Sequence, residues 1–329
     1  MLNAFAAILI VLGSAYLLIA ATVTLLPGDV RYLGMDQSRL CQEVGCRFTD
    51  FITHNRAAYG GATIGSGVMV AWIVRHPLRA GEAWGWWTLL AAGAVQCGCS
   101  IAFIAYGQTQ AYGFGAWHVA AVLLASLALA GGLLATRGML RDTSSPIAAL
   151  RRSGYSSVGR GAEGLGQLFF VSLAVGFVFS GGSVLLVAMT TVFVPQDVSF
   201  LGLDAAQVHG VSERLLSLLA HERAEFGVAM MTMGTLVAAT AWKGIGVYGW
   251  SLWLAMGAAG SVHFAAVITS HFLVDYTDFL HLAPVYGAVV LLAAALYAWR
   301  PRRVTPARVV GELGPVQADG GVAADRAPV

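Results

Sequence analysis

Two short segments of the sequence repeat the same chemically useful residues at the same spacing. Residues 54–60 and 221–227 both read H-x-R-A-x-aromatic-G. Imidazole can bind a metal ion or transfer a proton, and guanidinium can hold a carboxylate or phosphate through two parallel hydrogen bonds. The pattern therefore predicts two copies of a polar site, with Arg56 and Arg223 as candidate anion-binding residues. The alternative is that each arginine only anchors its helix to loop carbonyl groups or lipid phosphate.

The second half of the chain holds more candidate ligands than the first. His271, Asp275, Asp278 and His281 fall within eleven residues, and imidazole together with carboxylate suits Zn²⁺, Mn²⁺ or Fe²⁺. The corresponding segment of the first half, 107–113, contains no acidic residue. The sequence therefore places the main cluster in the second half, with an ordinary solvated loop as the alternative.

The predicted site has a main copy and a weaker copy, both at the outer ends of their helices. The main copy consists of His221, Arg223, Asp275, Asp278 and His281. The weaker copy consists of His54, Arg56 and His118. For a bound divalent metal, the predicted ligands are His221, Asp278 and His281.

The histidines also raise the question of haem, which the sequence disfavours. Bis-histidine ligands normally lie on facing helices inside a bundle, whereas these histidines are predicted at helix ends. The sequence also lacks the C-x-x-C-H motif of covalently attached haem. The cofactor is therefore not specified by the sequence, which permits a divalent metal and disfavours haem.

The four cysteines divide by environment. Cys41 and Cys46 lie in the first predicted outer loop, where a disulfide is permitted. Cys97 and Cys99 lie within a predicted span, and side chains two positions apart on a helix diverge, so we expect them to be packing residues.

The residues between these motifs define the class of protein. Of the 329 residues, 57% are hydrophobic and 11% are charged, which is outside the range of soluble proteins. A helix needs about 20 apolar residues to cross the hydrocarbon core, and backbone in lipid must be helical or form a closed barrel. We predict an all-α integral membrane protein with eight transmembrane helices, in contact with the lipid bilayer and not with nucleic acid. The predicted spans are 3–26, 57–74, 84–106, 118–137, 168–194, 224–242, 248–272 and 281–299.

The chain reads as a tandem duplication. The motifs P-x-D-V and L-G-x-D around Asp29 recur 168 residues later around Asp197, and His54 recurs 167 residues later as His221. A near-constant offset indicates two copies of one architecture. Four spans per copy give both copies the same orientation, so we predict a pseudo-twofold axis along the membrane normal. The predicted units are a first four-helix repeat (1–137), a polar cytoplasmic linker (138–167), a second four-helix repeat (168–299) and a disordered cytoplasmic tail (300–329).

Basic residues predict the orientation of the protein. Six of the 19 Lys and Arg residues lie on the predicted outer side, and the other 13 lie on the side of the linker and the tail. Basic residues concentrate on the cytoplasmic side of membrane proteins. We therefore predict a multi-pass protein of the bacterial inner (plasma) membrane with both termini in the cytoplasm.

Glycines predict how the helices of each repeat pack. At 100° per residue, Arg56, Gly60 and Gly67 lie on one helix face, as do their counterparts in the second half. Glycine lets a neighbouring helix approach closely. Each arginine should therefore lie at the end of a tightly packed helix seam.

Three sequence segments carry a resemblance to other proteins. The H-x-R-A-x-x-G-G motif at 54–61, the segment 77–90 and the pair Trp117-His118 resemble a group of bacterial multispanning proteins with no established activity. The resemblance covers the first half well and the second half more loosely, where K-G-I-G at 243–246 replaces the P-L-R-A-G-E turn. It implies the architecture and transfers no catalytic residue.

Three functions fit this sequence. The first is a membrane-embedded enzyme or redox protein with a metal, or an anionic or amphiphilic ligand, at the polar cluster. The second is a carrier of lipid or of a small molecule, with its site between the two halves. The third is a non-catalytic subunit of a larger membrane complex. Metal analysis of the purified protein distinguishes the first from the other two.

Overall fold

The computed structural model describes residues 1–23, 25–105, 116–142, 144–154 and 160–301, with the side chains of 100–105 and 116–119 outside the description. This part of the chain is helical and contains no strand. The predicted tail lies almost entirely beyond it. The helices are α1 (Leu2–Thr22), α2 (Pro27–Leu33), α3 (Gln37–Val44), α4 (Arg47–Ile73) continued by a π-helical turn (Val74–Leu78), α5 (Ala83–Ala105), α6 (Ala116–Arg137), α7 (Pro146–Arg151), α8 (Gly161–Met189), α9 (Pro195–Leu201), α10 (Ala205–Val211), α11 (Glu213–Gly244), α12 (Gly249–Leu273) and α13 (Phe279–Ala298).

Within the described residues, seven helices are long and apolar enough to cross a membrane, namely α1, α4, α6, α8, α11, α12 and α13. The remaining predicted span corresponds to α5, where the side chains of the last residues are outside the description. The count of eight spans therefore stays a prediction, while the class of polytopic, all-helical membrane protein is confirmed.

Helices α4 and α11 form the centre of the bundle. In their most apolar windows, 78% and 67% of residues are buried, against 17% in α6 and α13. Helix α4 packs against α1, α11 and α12, while α11 packs against α8, α4 and α5. Helix α4 therefore contacts α12, which follows α11 in the chain, and α11 contacts α5, which follows α4.

Both central helices begin well before the predicted starts at 57 and 224, at Arg47 and Glu213. The helices therefore extend beyond the predicted spans, through polar residues that interrupt the apolar pattern. The structure packs these first turns into what we call the cap, formed with α2, α3, α9 and α10. The cap has its own hydrophobic core, in which Leu40, Phe48 and Leu215 are fully buried.

The duplicated P-x-D-V and L-G motifs are the start and stop signals of the cap helices α2 and α9. Proline opens each helix, where its missing N–H costs nothing. The carboxylates of Asp29 and Asp197 accept a hydrogen bond from the backbone N–H before the helix, at 2.7 and 2.8 Å. Gly34 and Gly202 end the helices with φ of 69° and 80°, which favours glycine. The motif therefore fixes two short helices in which a buried aspartate faces the bundle.

The predicted glycine seams are present in the structure. A Cβ atom added to Gly13 would lie 2.6 Å from the carbonyl oxygen of Gly60, so α1 and α4 meet backbone to backbone. A Cβ atom added to Gly181 would lie 2.5 Å from the carbonyl oxygen of Gly227, where α8 meets α11. Because only glycine fits at such distances, these residues set the spacing of the helices that position the site.

Candidate functional site

Three histidines converge where the cap meets the helix bundle. His54 lies in α4, His271 in the last turn of α12 and His281 in the first turn of α13. One ring nitrogen from each lies within 4.8 Å of those of the other two. The packing of α4 against α12 brings the first pair together, with ring centroids 4.1 Å apart. The short connection between α12 and α13 then returns His281 to the same point.

Hydrogen bonding leaves the outer nitrogen of His271 available for a ligand. Its Nδ1 lies 2.7 Å from the carbonyl oxygen of Val267, one turn earlier in α12. A carbonyl oxygen can only accept, so the ring proton is on Nδ1 and Nε2 carries a lone pair. Nε2 is buried and has no hydrogen-bond partner among the described residues, and the same holds for Nδ1 of His54. Buried polar atoms in this state are uncommon, and ligand-binding sites are one place where they occur.

His281 is oriented by a chain of hydrogen bonds that ends at a buried carboxylate. The hydroxyl of Tyr276 donates to Oδ1 of Asp197 at 2.8 Å, and its oxygen lies 3.3 Å from Nδ1 of His281. Since the tyrosine proton is used by Asp197, the tyrosine oxygen is free to accept from Nδ1–H. Burial, followed by the adjacent carboxylate of Asp197, raises the pKa of Tyr276, which keeps the phenol protonated. The Nε2 atom of His281 is thereby left as a ligand atom.

The two arginines of the repeated motif pair with the aspartates of the cap. Arg56 contacts Asp29 at 2.8 Å and Glu222 at 2.7 Å, and all three side chains are buried. Arg223 pairs with Asp197. The anchoring interpretation is therefore the one that matches these contacts, although the partners are carboxylates and not carbonyl groups or lipid phosphate. One donor of Arg223, Nε, is buried without a partner among the described residues.

A cavity of about 570 Å³ extends from the three histidines into the bundle. Its walls come mainly from α8, α11, α12 and α13 and are largely apolar, with Phe177 and Val285 among them. Arg223 and Asp197 lie at the histidine end. The lining includes Phe179, which is 74% exposed on the lateral surface of the bundle. The cavity therefore reaches the lateral surface of α8, which a bilayer would cover.

The cavity also contains a histidine that the sequence did not single out. His263 lies in the middle of α12, buried between the rings of Phe177 and Phe264, each with a centroid 5.2 Å away. Its Nδ1 has no hydrogen-bond partner within the described part of the chain. A histidine inside an apolar span is itself a signal, because polar residues are rare there. Sequence reasoning missed it by attending to helix ends.

The predicted site residues are only partly brought together. His281 lies in the cluster together with His271 and His54. His54 was predicted to belong to the weaker copy. Nε2 of His221 instead lies 3.3 Å from Oε1 of Glu225, one turn later on the same helix. Asp275 and Asp278 are exposed, and Asp278 caps α13 by accepting from the N–H of His281 at 2.7 Å. The side chain of His118 lies outside the described residues.

Two corrections to the predicted site follow. The predicted metal set of His221, Asp278 and His281 does not assemble, because α4 and not α11 supplies the histidine that packs against α12. His54 and His221 also do not lie at helix ends, because α4 and α11 begin well before them. In the cap, a disulfide joins Cys41 and Cys46.

The fold and the site together define a polytopic membrane protein with a buried histidine cluster. Comparison with models of protein families, with curated proteins and with solved structures finds no match. The resemblance based on the motifs at 54–61 and 77–90 therefore stays a prediction.

Proposed function

We propose that the protein is a membrane-embedded metalloprotein that acts on an amphiphilic molecule entering from the lipid. The metal would be one divalent transition-metal ion bound by His54, His271 and His281. The observation that carries this proposal is the convergence of three imidazole nitrogens within 4.8 Å. Two of the three rings have their other nitrogen held by a carbonyl or a tyrosine oxygen, as is usual for metal-bound histidines.

The ligand types narrow the choice of metal. Imidazole suits Zn²⁺, Cu²⁺, Fe²⁺ and Ni²⁺, whereas Mg²⁺ and Ca²⁺ prefer oxygen ligands. Three protein ligands leave at least one coordination position open, which is typical of catalytic and not of structural sites. A metal ion bound there can polarise a carbonyl or phosphoryl oxygen, or activate a water molecule.

The protein's own residues define the kind of substrate. Arg223 lines the histidine end of the cavity, where its guanidinium can bind a polar or anionic head group. Phe177 and Val285 offer an apolar wall to a hydrocarbon portion. Because the cavity reaches the lateral surface, such a molecule can enter from the bilayer without passing through water.

We further propose that the bundle consists of two four-helix repeats with eight spans, related by a pseudo-twofold axis along the membrane normal. Support comes from contacts that occur in pairs. Arg47 donates to the carbonyl of Phe200 at 2.8 Å, and Arg214 donates to the carbonyl of Tyr32 at 2.9 Å. Each guanidinium also lies over the ring of the residue that it binds. Positions 47 and 214, and positions 32 and 200, correspond under the sequence offset, so this exchange is what a twofold relation requires.

The repeat explains why one site would be complete and the other not. By the same offset, His54 corresponds to His221 and His271 corresponds to Ile104. His281 corresponds to Phe114 by the same offset, so the second junction lacks two of the three ligands. We also propose that the metal site faces the extracytoplasmic side of a bacterial inner membrane, because 13 of the 19 basic residues fall in the predicted cytoplasmic turns, linker and tail and favour cytoplasmic termini.

Metal content tests the proposed function. The protein is purified in mild detergent with an affinity tag that contains no histidine, loaded with Zn²⁺, desalted and analysed for metal. We expect about one ion per chain, and loss of it in His54→Ala, His271→Ala and His281→Ala. His209→Ala, at an exposed position in the cap, should retain it. Full retention of the ion in a variant that combines these three substitutions, or no binding by the unaltered protein, would leave the non-catalytic subunit as the better account.

A further inference from the structure

A second cavity lies at the opposite end of α4 and α11 from the histidine cluster. It has a volume of about 460 Å³ and lies between the turn after α4, the end of α11 and the segment that follows α6. Its lining contains four basic residues, Arg141, Arg151, Arg152 and Lys243.

Hydrogen bonds hold the walls of this cavity in place. The backbone N–H of Arg141 donates to the carbonyl of Gly81 at 2.9 Å. The indole of Trp242 donates to the carbonyl of Leu150 at 2.7 Å, and Nζ of Lys243 donates to the carbonyl of Arg152 at 2.9 Å. The described residues 139–142 and 144–154 of the predicted polar linker are therefore held against the ends of the spans, so the basic residues line a formed cavity.

The charges in this cavity are not balanced. Among the described residues that line the cavity, only Glu82 and Asp142 are acidic. Glu82 accepts hydrogen bonds from the indole of Trp84 and, at 2.6 Å, from the hydroxyl of Tyr248, while Asp142 accepts from a backbone N–H at 2.8 Å. None of the four basic residues forms an ion pair within the described part of the chain. The cavity therefore carries a positive charge that an anion would neutralise.

The surroundings indicate a lipid and not a soluble anion. Trp84 lines the cavity, and tryptophan is enriched at the level of lipid head groups. Met139 and Ile147, on the segment that carries the arginines, are 57% and 81% exposed. Exposed apolar side chains beside a basic cavity match a molecule with an anionic head and hydrocarbon chains, and basic pockets between spans are known lipid head-group sites.

We propose that this cavity binds the phosphate head group of an anionic phospholipid, with the acyl chains lying against the neighbouring apolar surface. The site is independent of the metal site, because it lies at the other end of the central helices and shares no lining residue with the histidine cavity.

Native mass spectrometry of the delipidated protein with added phosphatidylglycerol tests this proposal. We expect one tightly bound lipid, and a loss of affinity of about fivefold for each of Arg141→Gln, Arg151→Gln and Arg152→Gln, from the usual contribution of one basic residue near an anionic surface. Arg75→Gln and Arg79→Gln are the matched controls, since both are exposed and neither lines the cavity. The elution profile in size-exclusion chromatography identifies variants that have not folded.

Two further probes separate the sources of the phosphate. Phosphatidylcholine should bind to the unaltered protein at least as weakly as phosphatidylglycerol binds to a variant that combines Arg141→Gln, Arg151→Gln and Arg152→Gln. Inorganic phosphate at millimolar concentration should fail to displace phosphatidylglycerol from the unaltered protein. Equal affinity for both lipids, equal losses in the control variants, or complete displacement by inorganic phosphate would each overturn the proposal.

Discussion

Replacing Tyr276 by phenylalanine tests whether the hydrogen-bond chain behind His281 supports metal binding. The substitution removes one oxygen atom and keeps the ring, which stacks between Phe200 and His281 with centroids 4.3 Å from each. Nδ1 of His281 loses its partner, and Asp197 loses one donor but keeps Arg223. The cap should therefore stay folded while His281 is no longer held in one tautomer.

The expected effect can be given a size. Removing the outer partner of a metal-bound histidine typically lowers metal affinity by about 10- to 100-fold, which corresponds to about 1.4–2.7 kcal/mol. Competition titration of the purified protein against a chromophoric Zn²⁺ chelator measures this directly. Tyr297→Phe is the matched control, since Tyr297 is 84% exposed, and it should leave the affinity unchanged. An affinity for Tyr276→Phe within about twofold of the unaltered protein would refute the role assigned to the chain.

Three further predictions follow from the fold and the orientation. Gly60→Ala should destabilise the protein by about 1–3 kcal/mol, because the added carbon would lie 2.8 Å from a backbone oxygen of α1. Gly182→Ala adds a carbon that meets nothing within 4 Å and should leave the stability unchanged. Thermal unfolding in detergent measures both effects. Arg56→Met removes the guanidinium that pairs with two buried carboxylates and should cost about 3–5 kcal/mol, whereas Arg39→Met on the exposed surface should change the free energy of unfolding by less than about 1 kcal/mol; the reverse order would contradict the assigned burial. A cysteine introduced at Ser145 should react with a membrane-impermeant thiol reagent only after cells are permeabilised, and labelling in intact cells would contradict cytoplasmic termini.

Local features of the fold were accessible from the sequence. Hydrophobic runs gave the membrane class, and the glycines at 60 and 227 gave the close helix crossings, because both properties depend only on residue type and helical spacing. The P-x-D-V and L-G motifs could be recognised as a repeat. Their role in starting and ending the cap helices also has a local cause, and the capping rules could have supplied it.

The site was harder to predict because it depends on which helices are neighbours. Sequence proximity grouped His281 with Asp275 and Asp278, and the duplication grouped His54 with the first half. The structure packs α4 against α12, so His54 joins His271 and His281 across the two halves. Nothing in residue type or spacing distinguishes this arrangement from packing within each half. The cluster is supported by Asp197 of the cap and by Tyr276 of the connection between α12 and α13. The apolar pattern of the sequence does not specify where the cap folds.

X-ray absorption spectroscopy of the Zn²⁺-loaded protein is the most direct test of the metal site, because it counts and identifies the ligand atoms. We predict three imidazole nitrogens at about 2.0–2.1 Å in the unaltered protein and in His209→Ala. His271→Ala should lose one of them or fail to bind the ion. A spectrum without imidazole scattering, a sulfur ligand at about 2.3 Å, or a spectrum that His271→Ala leaves unchanged would contradict a site formed by His54, His271 and His281.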